Sequence, residues 1–355
     1  MEKEAVAALA AMCGWETHLG HLTGGGTIAN LEALWVANRL DPEGVIVASS
    51  QAHYTHSRIS EVLKIAFESI PCDRRARLDI DALAQRFEGG RKRIGTVVAT
   101  IGTTAAGAVD PLPALIALRE RYGFRIHADA AYGGYFRLAG NLAPEVRRAY
   151  ELLPQVDSIV VDPHKHGLQP YSCGCILFKD PAVGSFYKHD SPYTYFSSRE
   201  LHLGEISLEC SRAGAAAVGL WATQRLLPLQ RDGEFARGLE AGREAALELY
   251  ERLQADTRFV TAFPPELDIV IWAPRAASVS ASSQLAQRIF AEAERRHLYL
   301  ALANLPVMFF DLEAAGMKAD TDTITCLRSV LMKPEHRQWL EEIWKILDEA
   351  RRALQ

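Results

Sequence analysis

Short apolar runs rich in β-branched residues recur along the first half of the chain, at 45–48, 96–101 and 159–161, with a mixed run at 124–128 leading to Asp129 and stretches of helical spacing around them. The segment 27–38 puts Leu31, Leu34 and Trp35 on one face, and 2–12 and 112–122 read the same way. Strands alternating with helices at this spacing predict βαβ units: a mainly parallel sheet with helices on both faces. In open sheets of this kind ligands lie beyond the carboxyl ends of the strands, so the residues that follow each run are where chemistry is expected.

The last of these runs stops at Asp162-Pro163, which leaves His164 and Lys165 on the turn beyond it. A lysine in water is protonated and a poor nucleophile, but in a partly desolvated pocket it loses its proton more readily and can form an imine with an aldehyde. A solvated surface lysine is the simpler alternative. Its company is informative. Thr23-Gly24-Gly25-Gly26-Thr27 feeds a helix, and a glycine-rich turn at a helix N-terminus offers free N–H groups and a positive dipole end to a phosphate. An ordinary tight turn would look similar. His53 follows one strand, where it is either a site residue or a hydrogen-bonded structural one. Asp129 ends another, where its carboxylate could cap a helix or hold a protonated ring nitrogen.

At 355 residues the chain suits one large and one small domain, expected at 1–232 and 233–355. The second would hold a strand at 267–272 and helices at 283–296 and 335–354, reached through helical stretches at 209–227 and 234–253. A segment from 186 to 199, rich in Tyr, Pro and Ser, reads as a binding loop or lid. The net charge of −5 supplies no basic face for nucleic acid and no polybasic membrane signal, and no apolar run approaches the ~20 residues of a membrane helix. A small-molecule partner is expected. Six scattered cysteines without a CxxC pair suit reduced thiols in a cytoplasm and no metal site, and Cys173-x-Cys175 reads as buried strand residues.

Taken together, six motifs resemble the group II pyridoxal-phosphate-dependent amino-acid decarboxylases of fold type I, nearest the bacterial tyrosine decarboxylases. They are Thr23 to Asn30, Ala52-His53-Tyr54, Ile101-Gly102-Thr103-Thr104, His127 to Gly134, Asp162-Pro163-His164-Lys165, and Leu208 to Gly214. The resemblance covers nearly the whole chain and implies an α/β fold of the PLP-dependent transferase type, with a small C-terminal α+β domain. It implies pyridoxal 5'-phosphate as cofactor, an amino-acid substrate, aromatic by preference, and a homodimer with shared active sites.

Carried over by position, Lys165 resembles the Schiff-base lysine, Asp129 the partner of the pyridinium nitrogen and His53 the imidazole stacked on the ring. Gly26, Thr27 and His164 resemble phosphate-side contacts, while Thr104 and Ala131 would line the ring. Ser211 is similar to a phosphate contact from across a dimer interface. Tyr171 is similar to a tyrosine near the reacting carbon, and Tyr193 falls in what corresponds to the mobile loop of the wider family. In the family a substantial N-terminal segment precedes the first helix, wraps the partner and contributes to the substrate pocket; here the chain begins almost at that helix. An aldehyde synthase or carbon–carbon lyase on the same scaffold, or a non-catalytic subunit, are the competing readings.

Overall fold

The computed structural model describes residues 1–90, 92–188, 206–209, 212 and 214–354. Two compact units emerge. The larger comprises Met1–Cys72, Arg77–Thr104 and Val109–Ala236; the smaller comprises Asp73–Ala76, Ala105–Ala108 and Arg237–Gln355.

The larger unit runs α1 (Glu2–Cys13), β1 (Leu19–Thr23), α2 (Gly26–Leu40), β2 (Val45–Ser49), α3 (Thr55–Leu63), β3 (Phe67–Ile70), α4 (Ile80–Gly89), β4 (Ile94–Thr100), α5 (Leu112–Tyr122), β5 (Arg125–Asp129), α6 (Pro144–Glu151), β6 (Ser158–Val161), β7 (Gly174–Phe178) and α7 (Gly214–Leu226). Its seven strands form one sheet in the order β1-β7-β6-β5-β4-β2-β3. The pairs from β6 to β3 are parallel, and β7 is antiparallel to both β6 and β1. Two antiparallel steps restore direction, so β1 runs the same way as the parallel set and its carboxyl end lies on the same edge.

Every residue of β2, β4, β6 and β7 is buried, which is why these strands are continuous apolar runs rather than alternating ones. Helix α2 packs Ala29, Ala33 and Val36 against Val160, Ile176 and Phe178. Its small residues let the helix approach the sheet closely and fix where its N-terminus points. On a neighbouring patch Leu34 meets Ile46, Ala48, Ile59 and Val98.

Local differences from expectation have physical causes. The stretch 20–26 reads as one turn, yet Leu19–Thr23 is a strand, because β7 supplies a full ladder of partners and buries His21, Leu22 and Thr23. Only the three glycines make the turn. The helix expected over 209–227 starts at Gly214, and Glu209 precedes it in a turn. Of the expected 186–199 loop, residues up to 188 follow a 3₁₀ turn at Pro181–Phe186, and the remainder lies outside the described residues.

The smaller unit holds α8 (Glu234–Ala255), most of which it contains, β8 (Phe259–Thr261), β9 (Ile269–Pro274), α9 (Val279–Glu294), β10 (Ala301–Pro306), β11 (Thr323–Val330) and α10 (His336–Arg352). Its sheet, β10-β11-β9-β8, is antiparallel throughout. Trp272, Leu249, Leu253, Ile289, Leu327 and Leu347 make its core. Among the described residues no helix is long and apolar enough to cross a membrane.

Candidate active site

The carboxyl ends of β1, β2, β4, β5 and β6 converge on a cavity of about 280 Å³ that lies wholly within the larger unit. Each strand delivers one part of it. From β1 comes the turn Gly24-Gly25-Gly26, from β2 His53, from β4 Thr100, Gly102 and Thr104, from β5 Asp129 and Ala131, and from β6 Asp162, His164 and Lys165.

The glycine turn is shaped by close approach. Gly25 has φ near 140°, in the region that favours glycine, and it N-caps α2 without any side-chain cap. The first N–H groups of α2 therefore face the cavity with the positive end of the helix dipole behind them. A Cβ on Gly26 would stand 2.6 Å from Asp162 Oδ2, so no larger residue fits unless that carboxylate moves. An anionic oxygen already meets the turn, since Gly24 N donates to Glu209 Oε2 at 2.9 Å.

Asp129 is buried at the end of β5. Its Oδ2 accepts from His56 Nε2 at 2.8 Å and its Oδ1 from Ala131 N at 3.2 Å. Burial alone would raise its pKa, but the hydrogen bond from His56, with the positive field of Lys165, outweighs it and holds the carboxyl well below the usual range. Asp162, one strand over, is equally buried. Its Oδ2 lies 3.1 Å from Lys165 Nζ and 3.6 Å from His164 Nε2, while among the described residues its Oδ1 has no partner. Burial therefore prevails there, and the Asp162 carboxyl is pushed up.

His164 is oriented by its Nδ1, which donates to Cys173 O at 2.8 Å. His53 is half-buried, its Nδ1 accepts from Thr55 N at 3.2 Å, and burial lowers its pKa so that the imidazole stays neutral. Beneath Asp129, His127 is clamped between Asn30 Oδ1 and Ser158 Oγ, each at 2.8 Å, and burial pushes it down to about 3.

Of the residues singled out from sequence, Gly26, Thr27, His53, Thr104, Asp129, Ala131, His164 and Lys165 all line the cavity. Tyr171 does not. It is 88% exposed, with its ring 5.2 Å from that of His164. Tyr193 and Ser211 lie outside the described residues. Sequence reading passed over Asp162, although its place three residues before Lys165 was a signal, and His56, whose partner is 73 positions away.

An L-tyrosine decarboxylase of Levilactobacillus brevis is 26% identical over 330 residues, covering 66% of this chain and 53% of that protein. A probable L-aspartate decarboxylase of Halobacterium salinarum is 31% identical over 229 residues, covering 64% of this chain and 60% of that one. The chain thus spans little more than half the length of these relatives. Among solved structures, Oryza sativa TDC with PLP and tryptamine superimposes with a TM-score of 0.84 at 20% identity, over 99% of this chain and 76% of that one. Mouse CSAD gives 0.83 at 20% identity, over 98% and 75%. Both share the fold type I architecture. Residues 1–273 match the pyridoxal-dependent decarboxylase conserved domain, and the chain belongs to that family.

Proposed function

We propose that this protein decarboxylates an L-amino acid, tyrosine-like in preference, with pyridoxal phosphate as its cofactor. The observation that carries the reading is that an amine, Lys165, and a buried anionic carboxylate, Asp129, face one cavity from the ends of adjacent parallel strands. The residues present fit the cofactor. The uncapped N-terminus of α2 suits a phosphate, the Asp129 anion suits a protonated ring nitrogen, and the imidazole of His53 suits a ring face. When bound, pyridoxal phosphate supplies an aldehyde for an amine and a protonated pyridine that accepts the electrons of the broken Cα–carboxylate bond.

The chain's own groups do the rest. Gly26, Thr27 and His164 bind the phosphate; Thr104 and Ala131 wall the ring. Asp129 keeps its negative charge at neutral pH and holds a proton on the ring nitrogen. Lys165 gives up its contact with Asp162 to present its amine, and the same amine returns a proton to Cα. Tyr171 stands outside the cavity wall, so in this reading the proton comes from Lys165. We infer a homodimer with sites at its interface, supported by the similarity of Ser211 to a cross-subunit contact and by the prevalence of two-fold assemblies. Sedimentation of an active monomer would refute the dimer.

The test is a panel of L-amino acids supplied with pyridoxal phosphate, scored for CO2 and for amine. Tyrosine should give both, and Lys165→Ala should give neither. Preference for aspartate would overturn the substrate, and release of aldehyde with ammonia would overturn decarboxylation.

A further inference from the structure

The contact between His56 and Asp129 has no part in the chemistry above. His56 is fully buried in the first turn of α3, and its Nε2 points at Asp129 Oδ2, 2.8 Å away. Its Nδ1 is buried and, among the described residues, has no partner. These facts fix the tautomer. A nitrogen that faces a carboxylate carries the proton, and an imidazolium would leave a second buried N–H unsatisfied, which costs more than an unused lone pair. The N-terminal end of a helix also disfavours a cation. His56 is thus a neutral donor, and the charge on Asp129 remains unneutralised for a partner in the cavity.

Geometry adds a second point. Ala131 N takes one lone pair of Oδ1 and His56 takes one of Oδ2, so the carboxylate cannot rotate about χ2 without losing a hydrogen bond. The remaining lone pairs face the cavity that Asp129 lines.

We propose that His56 is a positioning residue that locks the Asp129 carboxylate in rotation and as an anion, and so sets how strongly this site holds a proton on the ring nitrogen of its cofactor. This rests on the cofactor assignment made above. His56 touches neither substrate nor cofactor; it acts through Asp129. The other titratable groups around the pair are His53 on the same connection, His127 on β5 with its ring 6.4 Å from that of His56, Asp162 beyond β6 and Lys165 across the cavity.

The experiment compares wild type with His56→Leu and His56→Gln. The leucine variant fills the space without a donor, whereas the glutamine variant can place an N–H where Nε2 stood. Pyridoxal phosphate retention on dialysis and the pH titration of the bound cofactor's visible absorbance are the readouts. His56→Leu should hold the cofactor roughly tenfold or more weakly, the loss expected for a hydrogen bond to a charged group. Its titration midpoint should move, and His56→Gln should restore both. Unchanged retention and midpoint in His56→Leu, or a glutamine variant as impaired as the leucine one, would overturn the proposal. Should His56→Leu not fold, nitrogen-edited NMR of the wild type decides. A hydrogen-bonded Nε2–H proton that shifts on adding pyridoxal phosphate and is absent from His56→Gln is expected, and its absence from wild type would overturn the proposal. Wild type that takes up no pyridoxal phosphate would instead defeat the cofactor assignment.

Discussion

Two aspartates end adjacent strands in this cavity, both buried, and their surroundings drive them in opposite directions. Asp129 has a hydrogen bond to each oxygen, and its carboxyl is held low. Asp162 faces Lys165 and His164 with one oxygen, its other oxygen has no partner among the described residues, and its carboxyl is pushed up. Burial is common to both, so it does not explain the difference. What separates them is whether hydrogen-bond donors are fixed on the carboxylate. Asp129 is built as a permanent anion. Asp162 relies on Lys165 and His164 to offset its burial, which suits a group whose partner has to be released.

The largest effect should separate the two in turnover. Asp129→Asn keeps the shape and removes the charge, and should lower kcat by roughly 10²–10³-fold, the range for deleting one preorganised electrostatic group. Asp162→Asn should cost only about tenfold, comparable to the loss of one charge-assisted hydrogen bond. Steady-state CO2 release measures both. Equal losses would erase the distinction between the two aspartates.

A smaller effect tests how tightly the glycine turn packs on Asp162. A methyl on Gly26 meets Asp162 Oδ2 at 2.6 Å, so Gly26→Ala should destabilise the protein by about 1–3 kcal/mol, as overpacking does. It should also weaken cofactor uptake. Adding Asp162→Ala opens the space, and in a double-mutant cycle of urea unfolding the pair should cost less than the two changes summed. Strict additivity would mean that the turn yields by itself.

Much of the site was legible in the sequence, because β4 and β6 are buried throughout and show as mainly apolar runs whose ends lead into it. Helix α5 fell between Pro111 and Gly123, which punctuate it at both ends. Strands β1, β3 and β10 were not legible. They are short or partly exposed, and their extended form is decided by the ladder beside them rather than by their own residues. The same limit hid His56. Nothing near it in sequence announces Asp129, and the contact exists only once β2 and β5 occupy one sheet, two places apart. Asp162 stood in plain view, but its unsatisfied oxygen depends on how the lysine turn folds back.

The smallest effect is in the pH dependence of stability without cofactor, and there the two aspartates should differ in sign. Asp129 has a folded pKa below the ordinary 3.8, so its contribution is complete above 3.8 and is lost as pH falls toward the folded value. Asp162 has a folded pKa above 3.8; its contribution is present below 3.8 and is lost as pH rises through the folded value. His127 adds a background common to both, present above its ordinary 6.5 and lost as pH falls to about 3. Where one such group is protonated only in the unfolded chain, stability changes by about 1.4 kcal/mol per pH unit. Urea midpoints between pH 3 and 7 should therefore show Asp129→Asn with a flatter acid limb than wild type. Asp162→Asn should gain on wild type as pH rises from 4 to 7, because the neutral amide avoids ionising a half-satisfied buried carboxyl. The same slope change in both variants would mean that Lys165 and His164 satisfy Asp162 as fully as His56 and Ala131 satisfy Asp129.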